Sequence, residues 1–257
     1  MIQTSVFSHP AYAPFLPMLA DGALPDLAQL NRWAAQRKLA LDDGTSLRFV
    51  VGAPGNALAY EQAIATRGDI GLRADNWHDA FNALVWLALP RTKSALNAHH
   101  VASTRDQVAS PHARTRERDA ATLIDESGMI LACDDEELVD LLRRHAWREL
   151  LVERRARVDA AFLPLVIGHG LLDKLRAPFR GITAHVLVVP RGAASTSLSP
   201  TTIAVLDQVA AARIRATPFT PPSLLPLPVA GLSGWDTEGL GPRLFDDISV
   251  FRPSVLV

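Results

Sequence analysis

Six polar side chains stand out within the partly apolar stretch 76–100, NWHDAFNALVWLALPRTKSALNAHH: His78, Asp79, Asn82, Lys93, Asn97 and His100. On a 3.6-residue period, His78, Asn82 and Trp86 share one helix face, and Lys93, Asn97 and His100 share another. A short connection at Pro90 would fold the two helices together and let these faces meet. A second imidazole, His169, stands between Gly168 and Gly170, where the apolar run 162–167 gives way to a short helix. Glycines there let a ligand approach the backbone. Imidazole titrates near neutrality and is the commonest metal ligand. His78, Asp79 and His169 are therefore the candidate catalytic residues, as acid-base groups or ligands. Asn82, Lys93, Asn97 and His100 are the candidates for orienting a small anionic or carbonyl substrate. The chemistry expected of this set is hydrolysis; no cofactor is specified, but a divalent metal could assist by lowering the pKa of bound water toward 7.

A structural reading competes with the chemical one. Asp79 would then cap a helix, Lys93 would be a solvated charge, and the asparagines would satisfy nearby backbone groups. On that reading the chain is a non-catalytic binding or assembly protein, with an apolar arm docked on a partner or a second copy. A third reading rests on Arg143, Arg144, Arg148, Arg154, Arg155 and Arg157, the main basic concentration and a candidate nucleic-acid surface. Glu149 and Glu153 are interleaved with them and suit pairing along a helix. The formal net charge of −1 gives no global attraction to nucleic acid.

Other positions read as structural. Asp125-Glu126 falls in a turn signature, although its carboxylates could also serve the site. Asp246-Asp247 offers oxygen ligands or solvates the C-terminal arm. His99, His112 and His145 read as bystanders, and His185 as a core histidine in an apolar strand. The chain carries no G-x-G-x-x-G, Walker A, H-E-x-x-H or G-x-S-x-G motif, which argues against dinucleotide redox, P-loop and α/β-hydrolase chemistry.

Several elements must position these residues. Residues 25–38 open with a Pro-Asp start signal and carry Leu27, Leu30 and Trp33 at helical spacing. SLRFVVG reads as a short strand, and YEQAIATRGDIGLR as either a hairpin turn or a helical turn around Arg67-Gly68-Asp69. AATLIDESGMILAC has the form of a hairpin, and 134–159 is the clearest helical region. The segment 162–190 reads strand, glycine turn, short helix, strand, a small parallel βαβ-like unit. Residues 199–216 form a helix with a Ser start, and from Thr217 prolines break regular structure. The fold expected is α+β: one mixed domain over 1–257, with helices on a small, mostly buried sheet and a Pro-rich arm, 217–257, wrapped on the body.

At 257 residues a sizeable core forms without staples, and the single Cys133 excludes a disulfide framework within the chain. That cysteine usage fits a reducing, cytoplasmic setting. The opening residues lack a basic region and are broken by Pro10, Pro14 and Pro17, so they read poorly as a signal peptide. No run of about 20 apolar residues predicts a membrane span.

WHDAFNALVW, followed by Pro90, Lys93 and the Leu96-Asn97 pair, resembles a bacterial family known as domain of unknown function 3025. LIDESG, GHGLLDKL and FDDISVFRP fit the same pattern. The resemblance implies one domain over most of the chain in a bacterial protein. It implies no activity.

Overall fold

Asp26 accepts a hydrogen bond from Gln29 N at 2.6 Å and so starts α1 (Leu27–Arg37), as the Pro-Asp signal predicts. The structure is a computed structural model and describes residues 7–19, 22–52, 55–109, 116–192, 197–216, 219–236 and 245–253. After α1 the chain forms β1 (Arg48–Val51), α2 (Ala57–Arg67) and β2 (Asp69–Leu72), with β1 and β2 parallel and Arg48 opposite Asp69. The ambiguous segment before Gly68 is thus helical. Gly68 ends α2 at φ 70°, and a Cβ there would lie 2.0 Å from Ser46 O, so glycine is required twice over.

Asn76 caps α3 (Trp77–Ala88), and α4 (Pro90–Ala109) begins after the single residue Leu89. The break falls where Pro90 predicts it. The cap of α4 comes from elsewhere: Asp207 Oδ1 accepts from Thr92 N at 2.7 Å and Oδ2 from Arg91 N at 3.1 Å.

The expected hairpin is absent. Instead α5 (Arg116–Ser127) runs directly into β3 (Gly128–Ala132). Ala120, Ala121 and Ile124 share a buried helix face, so helical spacing overrides the turn signal of Asp-Glu-Ser-Gly. A Cβ on Gly128 would lie 2.1 Å from Ile124 O, so only glycine permits this abrupt change of direction.

The long helical region is broken as well. It holds α6 (Glu136–Arg143), a π turn at Glu149–Glu153, and α7 (Arg155–Ala161). His145 adopts φ 55°, its N–H donates to Leu142 O, and Ala146 N donates to Leu141 O. That is the Schellman ending of a helix.

Next come β4 (Leu163–Val166), α8 (His169–Lys174), β5 (Thr183–Val189), α9 (Pro200–Arg215, capped by Ser199) and β6 (Leu225–Pro228). The four-stranded sheet has the order β4-β3-β5-β6. β3 is parallel to β5 but antiparallel to β4. Hence β4 and β5 run in opposite directions with β3 between them, and the expected βαβ-like unit does not form. The connecting helix has six residues, too brief for a parallel crossover. All of β3 is buried, α5 and α9 pack on β3 and β5, and α4 lies on α9, α5 and α2.

The C-terminal segment packs on the body with Phe219, Trp235 and Phe251 buried, but it is more regular than its prolines suggest. Val229 N donates to Ile182 O, so odd-numbered residues of β6 turn their backbone groups to β5. Pro226 and Pro228 therefore point their missing donors away from the ladder. Pro164 does the same in β4, because Ile167 N donates to Gly128 O. The chain is an α+β protein, with 56% of the described residues helical and 14% in strands. Among the described residues no helix is long and apolar enough to cross a membrane.

Candidate metal centre

Two backbones touch where α5 ends and α8 begins. A Cβ on Gly168 would lie 2.4 Å from Gly128 N, and Gly128 O accepts from both Ile167 N and Gly168 N. This crossing sets His169, the first residue of α8, against Asp125 and Glu126 in the last turn of α5. Gly170 has a similar task. A Cβ there would lie 2.5 Å from Glu126 Oε2 and 3.5 Å from His78 Cε1, so its bareness admits both side chains. The glycines flanking His169 thus open the site through their lack of side chains.

His78, from the first turn of α3, meets His169 with ring centroids 4.4 Å apart, edge to face. Glu126 Oε1 lies 3.9 Å from His78 Nε2 and 3.6 Å from His169 Nε2. One donor atom from each of His78, Glu126 and His169 falls within 4.8 Å of the other two. Donors on one ion at 2.0–2.1 Å stand roughly 3.3 Å apart, so a contraction of about 1.5 Å or less would close the triangle. Burial pushes the His169 imidazole down to about 3, which keeps it neutral and able to ligate.

The triangle sits on a cleft of about 530 Å³. Tyr60, Glu61, Arg73, Asp79 and Asn82 also line it. A smaller cavity of about 120 Å³, with His100 and Arg118 on its wall, shares Glu61, Asp125 and Glu126 with the cleft. A mostly apolar groove of about 290 Å³ shares only Arg73 and lies away from the triangle.

Charge in the cleft is set by burial and by specific partners. Burial and the nearby Asp125 push the Glu61 carboxyl up to about 7, against a hydrogen bond from Asn97 Nδ2 at 2.7 Å. Burial alone would raise Asp125, but the Lys93 ammonium bonded to it, together with the nearby His169 and His100, outweighs burial and holds it at about 2. Glu126 is raised, mainly by burial, and His100 is lowered for the same reason. Asp79 is held low despite burial, because Arg73 takes both oxygens, with Nη2 at 2.7 Å from Oδ1 and Nε at 2.9 Å from Oδ2.

All seven expected residues gather around this site, in different ways. His78, Asp79, Asn82 and His169 line the cleft, and His100 lines its smaller neighbour. Lys93 and Asn97 reach it through carboxylates: Lys93 holds Asp125, and Asn97 holds Glu61. Asn82 Nδ2 donates to Tyr60 Oη at 2.7 Å, while its buried Oδ1 has no partner. Glu126, Tyr60 and Glu61 are additions. Glu126 belongs to the Asp-Glu pair that reads as a turn. Tyr60 and Glu61 begin YEQAIATRGDIGLR, where only a helical phase would have aimed them inward.

The remaining histidines and acids are engaged elsewhere. His99 is half-buried, and its Nε2 pairs with Ile214 O at 2.7 Å and ties α4 to α9. His185 Nδ1 pairs with Ser127 Oγ at 2.7 Å, and His145 stacks on Trp147. His112 lies outside the described residues. Asp247 accepts from Ser249, and Asp246 lies 3.7 Å from Arg148. In the basic region Arg143 and Arg144 pair with Asp140, Arg154 and Arg157 pair with Glu137, and Arg155 donates to Gly231 O.

The fold and site thus define an α+β protein with a His-His-Glu triangle on a polar cleft. Residues 47–255 match the family described as "Protein of unknown function (DUF3025)", and the chain belongs to it. The match contains every residue of the triangle and cleft. No curated protein and no solved structure matches the chain significantly.

Proposed function

We propose that this protein is a hydrolase that binds one divalent metal ion through His78, Glu126 and His169. The observation that carries the reading is the convergence of their three donor atoms within 4.8 Å at the wall of an open polar cleft. Two neutral imidazoles and a carboxylate are a zinc donor set that leaves a coordination position for water or substrate. The ion, when bound, would lower the pKa of that water and polarise a carbonyl.

The chain's own groups supply the rest. Glu61, poised near neutrality in the same cleft, holds or releases a proton over the working pH range. The hydroxyl of Tyr60, whose oxygen accepts from Asn82 Nδ2, offers a hydrogen bond that orients a polar substrate. Asp79 acts at one remove, by fixing Arg73 at the rim.

Zinc titration of the purified protein, followed by calorimetry, tests the reading. One ion should bind per chain, and His78→Ala, His169→Ala and Glu126→Ala should each abolish binding while the fold is retained. Chromogenic ester, amide and phosphoester substrates should be hydrolysed only by the loaded protein. Stoichiometric binding that survives all three substitutions would remove this site from consideration.

A further inference from the structure

His169 has two ring nitrogens and a carboxylate near each. Nε2 faces Glu126 and belongs to the donor triangle. Nδ1 faces the protein interior, is buried without a hydrogen-bond partner, and lies 3.8 Å from Asp125 Oδ1. Asp125 in turn accepts from Lys93 Nζ, and the two side chains are 14% and 5% exposed. Lys93 comes from α4, Asp125 from α5 and His169 from α8, so three elements converge on one line of polar groups.

We infer that Asp125 is the positioning residue for His169, taking a hydrogen bond from Nδ1–H so that the Nε2 lone pair is aimed into the triangle, with Lys93 anchoring Asp125. The inference rests on the proposed metal centre. A ligating histidine almost always donates its second N–H to a carboxylate, carbonyl or water, which fixes the tautomer and ring orientation. At 3.8 Å the contact exceeds hydrogen-bond length, and a closure of about 1 Å would make the bond.

The other charged and titratable groups around the ring are His78 and Asp79 from α3, Lys93 and His100 from α4, and Glu126 beside Asp125 on α5. Glu126 competes for the ring proton at Nε2. It is half-exposed, so water screens it, whereas Asp125 acts through a buried path. An ion taking the Nε2 lone pair places the ring proton on Nδ1. Metal binding and the Asp125 contact therefore favour each other.

Two measurements separate the role of Asp125 from the metal centre it serves. In metal-free wild type, nitrogen-15 NMR of the histidine rings should show His169 as the Nδ1–H tautomer. In Lys93→Met/Asp125→Asn, which removes both buried charges together, that tautomer preference should weaken. Zinc affinity in the double variant should fall about 10–100-fold. An Nε2–H tautomer in the wild type, or wild-type affinity in a folded double variant, overturns the role of Asp125 and leaves the metal centre standing. Failure of the wild type to bind zinc removes the metal centre and this role with it. The wild-type tautomer remains decisive even if the double variant does not fold.

Discussion

Within the cleft, burial and specific partners together decide which side chains carry charge near neutral pH. His169 stays uncharged, Asp125 stays ionised beside Lys93, and Glu61 keeps its proton to about 7. The last of these ties stability to pH. The unfolded chain releases the Glu61 proton near the ordinary glutamate value of about 4.3. Between that value and the folded one, the unfolded state binds fewer protons, so stability falls as pH rises through the window. Glu61→Gln keeps an acceptor for Asn97 and removes the titration. The variant should gain on wild type as pH rises from about 5 to about 8. Urea unfolding at both pH values measures the difference, and parallel pH profiles would refute the assignment.

Between elements, the contacts that matter most join distant parts of the chain. Asp207 on α9 is buried and caps α4 in place of a local residue, since Leu89 has no side chain able to do so. Asp207→Ala would strand the N–H groups of Arg91 and Thr92 and should cost roughly 1–3 kcal/mol in chemical denaturation. Asp207→Asn should lose less, because it retains one strong acceptor. A neutral Asp207→Ala would mean that water replaces the cap.

The same distinction separates what the sequence revealed from what it hid. The caps at Asp26 and Ser199, the break at Pro90 and the two polar helix faces have local signatures, and all are present. Glu126 is only half legible, as a carboxylate that could serve the site, because Asp-Glu-Ser-Gly satisfies the chemistry of a turn as well as that of a helix end. Its meeting with His169 depends on two glycine backbones in contact, Gly128 and Gly168, forty residues apart in sequence. Lys93 and Asn97 were visible as polar, yet their partners lie on α5 and α2, beyond any periodicity.

Across the whole molecule, the segment before the family match also supports the site. Tyr12, in the 3-10 stretch Pro10–Met18, donates to Leu172 O on α8 at 2.7 Å and stacks on Phe81 of α3 at 5.7 Å. Residues outside 47–255 thus brace the two helices that carry His169 and His78.

The sheet has two outer strands, β4 and β6, and each places proline where a backbone donor would otherwise face outward. A foreign strand approaching either edge finds a broken hydrogen-bonding template, so strand-by-strand growth into aggregates is blocked on both flanks. Pro164→Thr/Pro226→Thr should restore outward donors at half-buried positions and make the protein aggregate with concentration, as followed by light scattering. A variant that stays as dispersed as wild type would show that these prolines only shape the chain and do not guard it.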